Sequence, residues 1–302
     1  MRRHAAIATA AAERLQSTRA KETIARILDE GGDGSLGQAA RWADEIRSNG
    51  GPHDPATVRF LNDSRNRARA TWHYVNLPLD LGGYDRQSEF TRSDDVVQMI
   101  LLAVESLRNP GPDARFEEII ALRWLSHLVG DVHQPVHVGC GYIANAETNQ
   151  ARLVTAPGTA VGLPSDRGGG KLLLPTGDNL HGFWDSKLGP DLVPNAIHVP
   201  SDEPLVRELV QASARATANA AVTTMAAMSV SSQVASWANA SLAAARAAYQ
   251  GLRITGYRQQ QKDYPVEWEG EAAYRQRCAP IVSERMTTAA TNLAALLDSI
   301  WP

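Results

Sequence analysis

The sequence predicts a mostly α domain on three observations. Apolar residues recur at helical spacing in several long stretches, strong breakers separate those stretches, and only one short segment reads as a strand. The chain has 302 residues, 43% of them hydrophobic, enough to bury a substantial core.

The first stretch, MRRHAAIATAAAERLQ, weakly imitates a secretory signal, with basic residues before an Ala-rich run. The run is short, poor in Leu and passes directly into Glu13 and Arg14, so a helix is predicted instead. In VVQMILLAVESL, Val97, Ile100, Leu101 and Val104 fall at i, i+3, i+4 and i+7, with Ser93 as the expected cap. After the breaker NPGPD, the stretch ARFEEIIALRWLSHLVGDV continues the pattern and places Ile120, Trp124, His127 and Asp131 on one face.

Between Gly139 and Leu180 the pattern stops, and Gly, Pro, Asn and Thr become frequent. A long central loop is expected there, with a short strand at residues 171 to 174 and at most a short β-hairpin. Such a loop in a compact domain is usually functional, and His137 and His181 flank this one. Beyond it, the Ala-rich stretch of residues 210 to 228, SWANASLAAARAAY around Trp237, and a final segment with Leu293, Leu296, Leu297 and Ile300 on one face all read as helix.

Thirty Lys and Arg against thirty-three Asp and Glu give a formal charge of −3. That excludes a broad basic surface holding nucleic acid by counterion release, so phosphate would have to meet positive charge supplied locally. No apolar run is long enough to span a bilayer, so membrane insertion is not expected. Cys140 and Cys278 form no CxxC-type metal motif, and a disulfide between them is left open.

The stretch RWLSHLVGDVHQPVH carries three histidines and an aspartate among core-like residues, and burying such groups is costly unless something pairs with them. Two HxxxD pairs, His127 with Asp131 and His181 with Asp185, each share a helix face. His137, His73 in TWHYVNLP and Asp44 in RWADEIR join them, without the ExxH pairs of a di-iron bundle. Nitrogen and carboxylate ligands without thiolate suit a catalytic zinc site. His133 reads as a supporting hydrogen-bonding residue, Trp42, Trp124 and Trp184 as packing beside the ligands, and His53 and His198 as unrelated to metal.

These pieces, in order, resemble the S1/P1 nuclease family of zinc-dependent single-strand nucleases and 3'-nucleotidases, related to zinc-dependent phospholipases C. The resemblance rests on His4 with AAIA, RWADEIR, TWHYVNLP, the stretch from His127 to His137, and GDNLHGFWD, and the helical remainder fits through residue 302. It implies a single helical domain over residues 1–302 that cleaves single-stranded DNA or RNA to 5'-phosphorylated products, with 3'-nucleotidase activity and a secreted or periplasmic location. It implies that Asp44, His73, His127 and Asp131 hold one zinc and that His137, His181 and Asp185 hold a second. Asp131 would also bridge to a third, completed by His4 and by the amine and carbonyl of an N-terminal Trp.

By the same resemblance Asp44 orients or deprotonates the attacking water, Tyr74 stacks a base, and Asn76 stands where the family has a base-contacting acid. The family's mature chain begins with Trp-Gly, whereas only Met1, Arg2 and Arg3 precede His4, so the recorded start is expected to be internal to a longer reading frame. RGGGK at residues 167 to 171 also departs from the family's Gly-Gly-Asn, which bears on loop positioning. The alternatives are a zinc-dependent phospholipase C, against which the aspartate at Asp185 speaks, and a degenerate zinc-binding protein without catalysis. No protein partner is implied.

Overall fold

The computed structural model describes residues 2–47, 53–188, 203–216 and 228–302. Around its middle runs the helix Glu118–His133, whose residues from Ile119 onward are all buried. It packs most extensively against Val96–Arg108, and also against Arg2–Ala12, Val230–Tyr249 and Glu271–Ile300. A helix enclosed in this way can carry apolar residues on every side, which is why its sequence shows weak amphipathicity.

The Ala-rich N-terminal run is a helix, Arg2–Ala12, and its small side chains let it pack closely. Ala6, Ala8, Ala10 and Ala11 have no exposed surface. The helix Val96–Arg108 is capped by Asp95, whose carboxylate accepts from the amides of Val97 and Gln98, and not by Ser93 as the sequence predicted. Asp95 stands directly before the first helical residue, and its second oxygen also receives the Arg92 amide, so it meets the free N-terminal donors better. The final helix spans Glu271–Ile300 and buries Leu293, Leu296, Leu297 and Ile300. Of the helix expected over residues 210 to 228, residues 210 to 216 lie in the helix Glu203–Ala216; residues 217 to 227, like His198 and Met1, lie outside the described residues.

The mostly α class holds, with strand pairing more widely distributed than a single hairpin. The segment expected as a long loop contains the hairpin Tyr142–Ala144 with Arg152–Val154 and the short helix Pro157–Ala160. Its strand at Leu172–Leu173 pairs in parallel with Tyr264–Pro265, which in turn leads a strand paired with Arg253–Ile254. A further parallel pair joins Leu77–Pro78 to Gly139–Cys140 and brings the segment after His73 alongside the segment after His137. Cys140 and Cys278 are both buried free thiols in different clusters of the core, which settles the disulfide question.

Candidate metal centre

Pro135 shapes the centre. The residue before a proline is pushed out of the α region, so the central helix stops and Gln134 is extended at φ −84°, ψ 117°. Pro135 then starts the one-turn helix Pro135–Val138, capped by the Gln134 side chain, and this reversal turns His137 back toward Asp131. The second HxxxD pair forms differently. His181 lies on the turn Leu180–Gly182, capped by Asn179, and Asp185 on the π-helical turn Phe183–Lys187 that follows. Such π turns often occur at functional sites.

The Asp131 carboxylate is the hub. Its Oδ2 lies 2.9 Å from His73 Nδ1 and 3.1 Å from His127 Nε2, and its Oδ1 lies 3.4 Å from His4 Nε2 and 3.2 Å from His137 Nδ1. Asp185 is 3.4 Å from His137 Nε2 through Oδ1 and 3.3 Å from His181 Nε2 through Oδ2. Three groups have donor atoms within 4.8 Å of one another: Asp44, His73 and His127; His4, His127 and Asp131; and His137, His181 and Asp185. Atoms bound about 2 Å from one tetrahedral zinc lie roughly 3.3 Å apart, and the spacings here cluster near that value.

The chemistry of these donors fits a metal. His127 Nδ1 donates to the Ala40 carbonyl at 2.8 Å, His137 Nδ1 to the His73 carbonyl at 2.9 Å, and His181 Nδ1 to the Gly168 carbonyl at 3.1 Å. Each bond fixes the ring so that Nε2 faces the cluster, the usual support of a metal-bound histidine. Asp131 Oδ1, at the centre of the cluster, is buried with no hydrogen-bond partner, a cost a protein rarely sustains without a further ligand.

Electrostatics agree. Burial would raise Asp131, yet His127, His137 and His4 hold its carboxyl well below the usual range. Burial would lower His137, but Asp131 and Asp185 outweigh it and push the imidazole up to about 10. His4, stacked on His127 at 3.9 Å, is brought down to about 3 by burial and by the neighbouring His127 charge. In the absence of metal, the raised imidazoles of His127 and His137 are the positive charge beside these carboxylates.

The eight predicted ligands therefore come together. Asp44 is only partly buried, on the one-turn helix Trp42–Glu45, with Arg47 Nη1 3.8 Å away. Burial would raise its pKa, but His127 and His4 bring it below the ordinary value. Trp124 stacks edge-on against His73 at 5.4 Å and Trp42 packs on Trp124, as expected of packing residues. His133 bonds the Val129 carbonyl through Nδ1 and Asn292 through Nε2. Tyr74 and Asn76 are partly buried and do not line the 460 Å³ cleft over the cluster.

Sequence reading missed three groups in this cleft. Gln134 Nε2 donates to Asp185 Oδ1 at 2.7 Å, holding that carboxylate toward the histidines. Arg47 and the buried Arg285 also line the cleft and supply the local positive charge. Arg47 stood three residues from Asp44 in the RWADEIR motif, and Gln134 lay inside the ligand stretch. Arg285 had no local signal, because only tertiary packing brings the last helix here.

The helical domain thus opens a cleft lined by His and Asp groups that could hold metal. The family model described as S1/P1 Nuclease matches residues 2–302, and the chain belongs to that family. It is accordingly a nuclease, a hydrolase acting on phosphodiester bonds, in a family of zinc-dependent enzymes. No curated protein matches the sequence.

Proposed function

We propose that the protein is a zinc-dependent nuclease that cleaves single-stranded DNA and RNA to 5'-phosphorylated products and removes phosphate from 3'-nucleotides. The observation that carries the zinc reading is the fixed orientation of His127, His137 and His181 by backbone carbonyls, with their free nitrogens facing Asp131 and Asp185. Asp44, His73, His127 and Asp131 would hold one ion and His137, His181 and Asp185 another. His4 and Asp131 would contribute to a third.

When bound, such ions acidify water toward hydroxide near neutral pH and neutralise charge on the phosphate. Asp44 stays ionised at the solvent edge of the cluster, where its carboxylate can orient a water and accept its proton. Arg47 beside it meets the phosphate oxygens with a guanidinium fork. Single-strand preference would follow from a base drawn out of its stack; Tyr74 and Asn76 do not line the cleft over the cluster, so base contact at these two residues requires the substrate to extend beyond that cleft. Export is the location we assign, and no helix among the described residues is long and apolar enough to cross a membrane.

The test offers one single-stranded oligonucleotide, its duplex, a 3'-mononucleotide and phosphatidylcholine vesicles to the zinc-loaded protein, with end-group analysis of the products. The proposal expects cleavage of the single strand with 5'-phosphate ends and of the mononucleotide. Hydrolysis of phosphatidylcholine with the oligonucleotide intact would assign a phospholipase C, and no hydrolysis of any would assign a non-catalytic zinc protein.

A further inference from the structure

Asp166 lies outside the metal cluster and is fully buried, and among the described residues no basic side chain pairs with it. Burial pushes its carboxyl up to about 7 in spite of the amide and hydroxyl donors around it. Oδ1 accepts from the Gly169 amide at 3.0 Å and from the Tyr249 hydroxyl at 3.0 Å, and Oδ2 accepts from the Gly141 amide at 3.2 Å. Its backbone amide also donates to the Gly141 carbonyl at 2.9 Å. A buried carboxylate without a cation is costly, and this one is held in place by donors from separate segments of the chain.

One of these donors, the Gly169 amide, belongs to the peptide unit between Gly168 and Gly169. The Gly169 N–H that Asp166 accepts and the Gly168 carbonyl that receives His181 Nδ1–H belong to one planar peptide group. In a trans peptide the two point in opposite directions. Anchoring the N–H on Asp166 therefore aims the carbonyl at His181 and keeps the proton on Nδ1, leaving Nε2 for metal. The loop needs glycine for this: Gly168 and Gly169 have φ of +59° and +82°. A Cβ on Gly168 would lie 2.0 Å from the Val136 carbonyl and 3.2 Å from His181 Nδ1. Gly168 is thus wedged between the residue before His137 and the ring of His181, while Gly141, three residues after Val138, is held by the same Asp166 carboxylate.

We propose that Asp166 is a positioning residue for the His137, His181 and Asp185 site, setting the zinc-binding tautomer of His181 through the Gly168–Gly169 peptide and tying that peptide to the chain leaving His137. The inference rests on the reading that the cluster holds zinc. Asp166→Asn keeps the shape of the side chain but turns one accepting oxygen into an NH2 that faces a donor.

The experiment measures zinc affinity by chelator competition on the full chain, unmutated and Asp166→Asn, with no substrate present. Affinity for one zinc is expected to fall about 10- to 100-fold, the loss typical when a ligand's hydrogen-bonding support is removed, while the tightest remaining site is unchanged. A folded Asp166→Asn protein with unaltered affinity at every site overturns the proposal. Imidazole 15N shifts of the unmutated zinc-loaded protein test it without any variant: His181 protonated at Nδ1 supports it, and zinc on Nδ1 overturns it. An unmutated chain that binds no zinc overturns the metal reading and this proposal together, and its own zinc content identifies that outcome.

Discussion

His127 Nε2 lies 3.1 Å from Asp131 Oδ2, one turn along the helix Glu118–His133, and that oxygen also meets His73 Nδ1 at 2.9 Å. Because Asp131 faces four histidines, its replacement removes a donor shared between sites. Asp131→Asn is expected to lower zinc affinity by more than the roughly 100-fold that marks loss of a supporting contact, and to abolish nuclease activity. Retention of full zinc content by this variant in elemental analysis would remove Asp131 from the centre.

Gly130 gives His4 its room: a Cβ there would lie 2.5 Å from His4 Nδ1. Alanine ordinarily favours a helix by about 1 kcal/mol over glycine, so the helix itself should tolerate the change. Gly130→Ala is expected to displace His4 and lower the zinc stoichiometry by one, with the other two sites retained. An unchanged stoichiometry would show that His4 holds no ion.

Gln134 donates to Asp185 Oδ1, the same oxygen that meets His137 Nε2. Gln134→Leu is expected to weaken zinc at that site about 10-fold while leaving secondary structure intact by circular dichroism. Equal affinity in a chelator titration would reduce Gln134 to a cap for the turn Pro135–Val138.

In the zinc-free protein His137 is raised to about 10, so its charge stabilises the fold fully below the unfolded histidine value of about 6.5. That contribution is lost as pH rises from there through about 10. Asp131 is depressed, so its contribution is present above the unfolded carboxylate value of about 3.9 and is lost as pH falls further. Chelator-treated protein should therefore show a falling urea midpoint from near pH 6.5 toward pH 10, and a flat profile would refute the pairing. Zinc must displace these protons, so its apparent affinity should rise over the same window.

Arg123 is buried, bonded to Asp33 Oδ2 at 2.7 Å and Asp54 Oδ2 at 2.8 Å, and stacked over Trp42. It fastens the central helix to the two segments that flank Asp44. Arg123→Met leaves Asp33 without its partner and is expected to cost about 3–5 kcal/mol in denaturant unfolding. A cost below about 1 kcal/mol would mean that the network is incidental.

The long helices and most of the residues that gather in the cluster were legible in local patterns, whereas His4 entered only through the family resemblance. Helical spacing marked His127 with Asp131, and HxxxD marked His181 with Asp185. The Asp95 cap was misplaced onto Ser93 because both residue types cap helices and only the structure shows which one meets the free amides. Hairpin pairing across residues 139–180, Arg285 in the cleft and Asp166 behind His181 were not legible, since each depends on contacts between segments distant in the chain. The DRGGGK stretch did carry a clue, in that consecutive glycines mark a backbone held at positive φ beside something close.

Zinc per chain, by elemental analysis of the protein purified without chelator or affinity-tag metal, tests the central claim most directly. At least two zincs per chain are predicted, with His127→Ala losing one or more. A folded, unmutated chain that carries none and takes up none when zinc is added would contradict the metal centre and the nuclease mechanism built on it.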